Sequence, residues 1–443
     1  MRKVALTSFG RARFGGHRRL RGSTVLPPIA PLASLLTSAR GTFDDTSGMD
    51  VRTNWDVSGG KAVCLGASTN DLRIAFDTPT QAGRATVTKF DAVIPSSNLK
   101  INLGGNGSKS GRTLSEEWMA FQYYSAAEMV NSYPRLQLVP GTTGVPFEID
   151  NVEIYDLGDV DPSVAPCDVI IVGGDSNSAN ATSEKFGVDI GSAERETPFD
   201  PRIWYMPHLR VTGIYGNTGS VRHVPQPCIE PVVTVEAVRM SPVHAVAGRL
   251  VEWSAARGRP LLVMAMGDPG SGLMNTEDWR SDSAVATTGG RMWNELVAMK
   301  AAVDALGPAH EIVGTVWSMG ANDRYNAGSV NAYDSAHLPV YSKFFADVRA
   351  LVGDIPMVLW NIGDQLVRNA QTSGNLGFGI YMQDWLARFD KDSGHSSAID
   401  RLTVVHPQDG NQLAGDDDPH YNAHGMQQNG RDAGDALRAL LEG

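Results

Sequence analysis

The stretch DVIIVGGDSNSAN at 168–180 runs apolar through 169–172 and then turns abruptly into small polar residues, Gly174, Asp175, Ser176, Asn177 and Ser178. A serine at the end of a buried strand can act as a nucleophile if three other things are near it. These are a base for its proton, a carboxylate to orient that base, and donors for a tetrahedral oxyanion. Downstream, Asp416-Asp417-Asp418-Pro419-His420-Tyr421 brings carboxylates within one turn of an imidazole, with Asp417 and His420 three apart. Asp416 and Asp418 are alternatives as orienter, and His406 and His424 are rivals of His420 as base. Trp317-Ser318-Met319-Gly320-Ala321-Asn322-Asp323 offers a carboxamide donor at Asn322, and Gly267-Asp268-Pro269-Gly270-Ser271-Gly272 offers free backbone N–H groups. The chemistry these residues fit is acyl transfer. A plainer reading makes Ser176 a turn former and Asn322-Asp323 a cap.

The elements that must hold these residues follow from periodicity. Strand-like apolar runs fall at 169–172, 260–266, 312–317, 357–362 and 402–405, with helix-like stretches at 243–256, 291–306, 340–352, 380–389 and 426–441. Strands alternating with helices predict an α/β fold, a three-layer α/β/α sandwich around a five-stranded parallel, flavodoxin-like sheet. The polar clusters then lie at strand ends, where open parallel sheets bind ligands. Residues 181–242 form a long first crossover that must hold an insertion.

Gly174-Asp175-Ser176-Asn177-Ser178, the glycine after the second strand, Gly320-Ala321-Asn322-Asp323 and Asp417-x-x-His420 together resemble the four blocks of the SGNH hydrolase (GDSL-type esterase) superfamily. Ser176-Asn177, the segment 241–250, Trp279, and His420-Tyr421 ahead of Gly425 and Gly430 look most like its sialate O-acetylesterase and acetylxylan esterase branch. The resemblance implies Ser176 as nucleophile, His420 as base then acid, and Asp417 as orienter. It implies an oxyanion hole from the Ser176 and Gly270 N–H groups and the Asn322 side chain, with Gly267 or Gly272 as alternatives to Gly270. It also implies deacetylation of an acetylated polysaccharide or oligosaccharide without a cofactor. Asp175, where that branch often has Gln, and Ala321, where it often has Glu, depart from the branch and keep closer to the wider superfamily. Asp175, Trp279 and Tyr325 are candidate substrate contacts, and Trp204 and Tyr205 are read as loop residues near the same mouth.

The chain has 443 residues, 42% hydrophobic and 20% charged, the balance of an ordinary globular protein long enough for two domains. A formal charge of −11 argues against nucleic acid as a partner, and no apolar run reaches membrane-spanning length. Residues 1–40 are read as a basic arm and linker or docking strip, since Arg2, Lys3, Arg11, Arg13, Arg18, Arg19 and Arg21 fall in an opening stretch without acids, which fits a disordered tail first, and also a transit peptide or an arm for an acidic partner. No secretory signal is read there. Residues 41–157 alternate as short strands and predict an all-β sandwich that loosely resembles a jelly-roll carbohydrate-binding module. Trp55, Trp118, Tyr123 and Tyr124 could stack there on sugars, but aromatic residues of a small sandwich more often fill its core, and a structural or oligomerising role for the domain stands beside glycan binding. A slip in apolar phase at Asp150 and Asn151 predicts a bulge. Gly158 to Pro166 is the expected boundary, with the hydrolase-like part at 166–443. Cys64, Cys167 and Cys228 are read as structural thiols. Competing expectations are a non-enzymatic glycan-binding adhesion protein, an esterase for longer acyl chains, and a homo-oligomer or virion or surface assembly formed through the N-terminal region.

Overall fold

The computed structural model describes residues 26–65, 72–77, 86–103, 113–125, 135–140, 146–178, 200–208, 222–228, 241–284, 289–323, 329–363, 380–407 and 420–443. After a single helical turn, α1 (Ser38–Gly41), the first sheet contains β1 (Met49–Asp50), β2 (Trp55–Asp56), β3 (Ala62–Cys64), β4 (Leu72–Ala75), β5 (Thr86–Leu103), β6 (Thr113–Ser125), β7 (Arg135–Pro140) and β8 (Phe147–Asp156). Its order is β1-β4-β7-β5-β8-β3-β2, with β6 on β5, and every pairing is antiparallel. Where a sandwich of two sheets was expected, the described strands share one hydrogen-bond network, because β5 pairs with β8 along its first half and with β7 near its end. The sheet nevertheless curls over a core. Leu72 and Ile74 of β4 are buried together with Phe147, Ile149, Val152 and Ile154 of β8, although β7 and β5 separate those strands in the order.

Alternation explains which side chains enter that core. β8 is buried at every second residue until Asn151, which is exposed at φ 51°, and the alternation then resumes one residue out of phase. The pairing of β5 with β8 slips at the same place, between Lys89 and Asp91, so the expected bulge is present.

The second sheet comprises β9 (Asp168–Gly174), β10 (Ile203–Pro207), β11 (Gln226–Pro227), β12 (Leu261–Gly267), β13 (Glu311–Ser318), β14 (Met357–Trp360) and β15 (Leu402–Val405). Their order is β11-β10-β12-β9-β13-β14-β15, all parallel except the short edge strand β11. The expected five strands are there, and the correction is that the sheet has seven: the insertion supplies β10 and β11. The helices are α2 (Val243–Ala256), α3 (Arg291–Leu306), α4 (Val330–Val352), α5 (Ile380–Ala387) and α6 (Ala423–Glu442). Alternate residues of one strand enter different cores. Val169 and Ile171 of β9 join Leu296 of α3, Phe344 of α4 and Trp385 of α5, whereas Ile170 and Val172 join Leu250 of α2 and Leu437 of α6. Helices therefore cover both faces, which is why these strands read as unbroken apolar runs.

Residues 26–37 bind both helix α2, which covers the second sheet, and strand β8 of the first. The Ile29 N–H donates to Ala255 O at 2.9 Å, the Leu35 N–H donates to Ile154 O at 2.6 Å, and Leu35 and Leu36 are buried in the first core. Among the described residues no helix is long and apolar enough to cross a membrane.

Candidate active site

β9 sits between β12 and β13, where the chain switches from building one side of the sheet to building the other. A ligand crevice opens outside the carboxyl ends of strands at such a point. Three of the four sequence blocks meet there.

The Ser176 turn is fixed by the approach of β9 to β13. Gly174 has φ 128°, and a Cβ on it would lie 2.0 Å from Ser318 O, so only glycine fits. The next residue is bonded twice to the same neighbour: the Asp175 N–H donates to Ser318 O at 2.8 Å and the Ser318 hydroxyl donates to Asp175 Oδ1 at 2.9 Å. The Asn177 N–H also donates to Asp175 Oδ1, at 3.1 Å, and the Ser178 N–H and hydroxyl donate to Asp175 O at 3.1 and 2.9 Å. Asp175 is 1% exposed and Ser176 7%, so both lie buried in the turn. Burial pushes the Asp175 carboxyl up to about 6, against the hydrogen bonds from Asn177 and Ser318 and the charge of His420, while Asp323 adds to the rise.

His420 comes to this end of the sheet through its neighbour: Tyr421 packs on Trp360, which pairs with Ser318, the residue bonded to Asp175. His420 is half-buried immediately ahead of α6, and the residues after it hold it there. Tyr421 stacks on Trp360 at the end of β14, with ring centroids 5.6 Å apart at 16°. Asn422 caps the helix, its Oδ1 accepting from the Gly425 N–H at 2.7 Å. Ala423 is buried in the core of the first sheet, so that sheet buttresses the turn that carries the histidine. His424 is exposed in the first turn of α6 and His406 is exposed past β15, with its Nδ1 3.3 Å from Asn361 Nδ2. Asp416, Asp417, Asp418 and Tyr325 lie outside the described residues.

The loop after β12 meets the turn after β13. The Asp268 N–H donates to Gly174 O at 3.0 Å, tying the loop to the end of β9. Gly270 is exposed at φ 77°, while Ser271 and Gly272 are buried. Asn322 donates through Nδ2 to Ser271 O at 2.9 Å, and an NH₂ group has a second hydrogen to offer. Among the described residues no cluster of three His, Cys, Asp or Glu side chains is grouped as a metal site would need.

Two aromatic expectations are corrected, and the core reading of Trp55 holds. Trp279 is fully buried, with Nε1 donating to Ser271 Oγ at 2.9 Å and its ring edge-on to Trp317 at 5.3 Å. It packs the loop and has no face free for a sugar. Trp204 and Tyr205 belong to β10, where they are buried on opposite faces of the sheet. Trp55 is 6% exposed and lies edge-on to Phe147 in the first core. Asp175, the remaining candidate substrate contact, points its carboxylate into the protein.

No protein-family model matches the chain, and no curated protein matches it by sequence. Among solved structures it is similar to NanS at 14% identity, over 63% of this chain and 97% of that one, with a TM-score of 0.41. It is similar at 12% identity to a protein from Arabidopsis thaliana, over 62% and 98% of the two chains, with a TM-score of 0.41. The third is a family two carbohydrate esterase from Clostridium thermocellum in complex with cellohexaose, at 13% identity over 89% and 99%, with a TM-score of 0.33. The resemblance to the SGNH hydrolases is carried by the four sequence blocks.

Proposed function

We propose that the chain is a serine esterase that removes O-acetyl groups from carbohydrate. The observation that carries this reading is the convergence at the sheet's switch point. Ser176 stands on a hydrogen-bonded turn beside the Gly270 loop and Asn322, and His420 precedes Tyr421, which stacks on Trp360, the partner in the sheet of the Ser318 that is bonded to Asp175.

In this mechanism the Ser176 hydroxyl attacks the acetyl carbonyl as its proton passes to His420. The negative oxygen of the tetrahedral intermediate is met by the Ser176 and Gly270 N–H groups and the Asn322 carboxamide. Its collapse breaks the bond to the sugar oxygen, which leaves as an alcohol with the proton from His420. Water, deprotonated by His420, then attacks the acetyl-enzyme and releases acetate and free Ser176. Asp417, from its spacing to His420, orients the imidazole. Catalysis is assigned to residues 166–443, and residues 41–157 form the accompanying β-module.

The test is acetate release from a panel of acetylated glycans, with p-nitrophenyl acetate and octanoate in parallel. Turnover of acetyl esters, lost in Ser176→Ala, is expected. Full turnover by folded Ser176→Ala would overturn the mechanism, preference for octanoate would replace the substrate class, and glycan binding without turnover would make the protein an adhesin.

A further inference from the structure

The mechanism leaves unused a fully buried carboxylate beside the oxyanion donor, Asp323. Its oxygens gather donors from two other parts of the chain. Oδ2 accepts from the Leu273 N–H at 3.1 Å and from the Tyr341 hydroxyl at 2.7 Å. Oδ1 accepts from the Met274 N–H at 2.9 Å and, more weakly, from the Asn275 N–H at 3.4 Å. Three successive backbone N–H groups of the β12 loop thus converge on one side chain from the β13 turn, and α4 adds a fourth donor. The loop approaches so closely that a Cβ on Gly272 would fall 2.5 Å from Asp323 Oδ1. Nearby, Asn275 Nδ2 donates to Asn322 O, and Asn322 Nδ2 donates to Ser271 O. The two segments that carry the oxyanion donors are therefore tied to each other through both Asn322 and Asp323.

We propose that Asp323 is a positioning residue that locks the 270–275 loop to the β13 turn and so sets the spacing of the Gly270 N–H and the Asn322 carboxamide. This rests on the esterase reading for its catalytic consequence. The physical reason is that an oxyanion hole works only with donors fixed beforehand, and loop residues with an exposed glycine at φ 77° are not fixed by strand pairing. A carboxylate accepting several N–H bonds supplies that rigidity locally. In Asp323→Asn one acceptor oxygen becomes an NH₂ group, which must face either the Leu273 N–H or the Met274 N–H.

Four measurements are made on wild type, Asp323→Asn, Tyr341→Phe and Gly272→Ala: thermal melting, kcat and KM for p-nitrophenyl acetate, the inhibition constant of methylboronic acid, and amide exchange of the 270–276 peptide. Asp323→Asn is expected to lose on the order of 100-fold in kcat with KM within about threefold, and to lose boronate affinity in parallel. Exchange of its 270–276 peptide should quicken. Gly272→Ala should shift the same readouts in the same direction, and Tyr341→Phe should do so to a smaller degree, which keeps the test decisive if Asp323→Asn does not fold. Variants that melt lower yet keep wild-type kcat, boronate affinity and loop exchange would make Asp323 merely structural and overturn the proposal. If wild type turns over no ester, the esterase reading fails, and the exchange data still decide whether Asp323 holds the loop.

Discussion

Replacing Asp175 by Asn changes the charge of the most buried group in the serine turn while keeping its shape. The Asn Oδ1 can still accept from Ser318 Oγ and the Asn177 N–H, as Asp175 Oδ1 does. The other oxygen, Oδ2, is buried without a hydrogen-bond partner, and the new NH₂ would occupy its place. An unsatisfied buried donor costs about 1–3 kcal/mol at any pH. The ionised carboxylate costs something that depends on pH. Burial raises Asp175 from 3.8 to about 6, and each tenfold change in proton affinity is worth about 1.4 kcal/mol, so ionising it in place costs about 3 kcal/mol. Because the folded value lies above the unfolded one, the folded protein holds a proton here that the unfolded chain releases. The associated stability is full below about pH 4 and is lost as pH rises through 6. The assay is urea unfolding of wild type and Asp175→Asn from pH 4 to 7.5, because groups common to both cancel in the difference. Stability of the variant relative to wild type should climb by about 2 kcal/mol across that range, leaving the two near parity or the variant ahead at pH 7.5. A difference that stays flat to within about 0.5 kcal/mol, or that falls with pH, would refute the argument that burial dominates this carboxyl.

Trp279→Phe should lose about 2 kcal/mol of stability, through the lost bond to Ser271 Oγ and poorer packing on Trp317, and leave KM for an acetylated sugar unchanged. A raised KM with unaltered melting would restore the stacking role. Tyr421→Phe keeps the stack on Trp360 and should retain near wild-type kcat. Tyr421→Ala removes it and should cost about 3–5 kcal/mol of stability, with kcat falling more than KM rises. A wild-type kcat in Tyr421→Ala would show that the stack does not position His420.

The helices at 243–256 and 291–306 and the strand at 402–405 were legible to the residue, because their periodicity and their flanking breakers agree. α4 begins at Val330 rather than Val340. Pro339 reads as a helix breaker in sequence, but it lies on the exposed face, and buried Tyr333, His337 and Tyr341 hold the helix through it. β10 was missed, although 203–206 is a continuous apolar run, because its Trp and Tyr suggested a binding mouth. The strand ends ahead of Ser176 and Asn322 were legible because an apolar run breaks there into small polar residues. What ties them together was not. The partners of Asp323 stand 48 to 50 residues upstream and 18 downstream, and no local pattern encodes that. Nor does spacing reveal that Ala423 rests on the first sheet.

The central claim, that Ser176 is an activated nucleophile, is tested most directly by covalent labelling with a fluorophosphonate followed by peptide mass mapping. One adduct is expected, on Ser176, absent from Ser176→Ala and formed far more slowly in His420→Ala. No adduct on wild type, or equal labelling of folded Ser176→Ala, would contradict it.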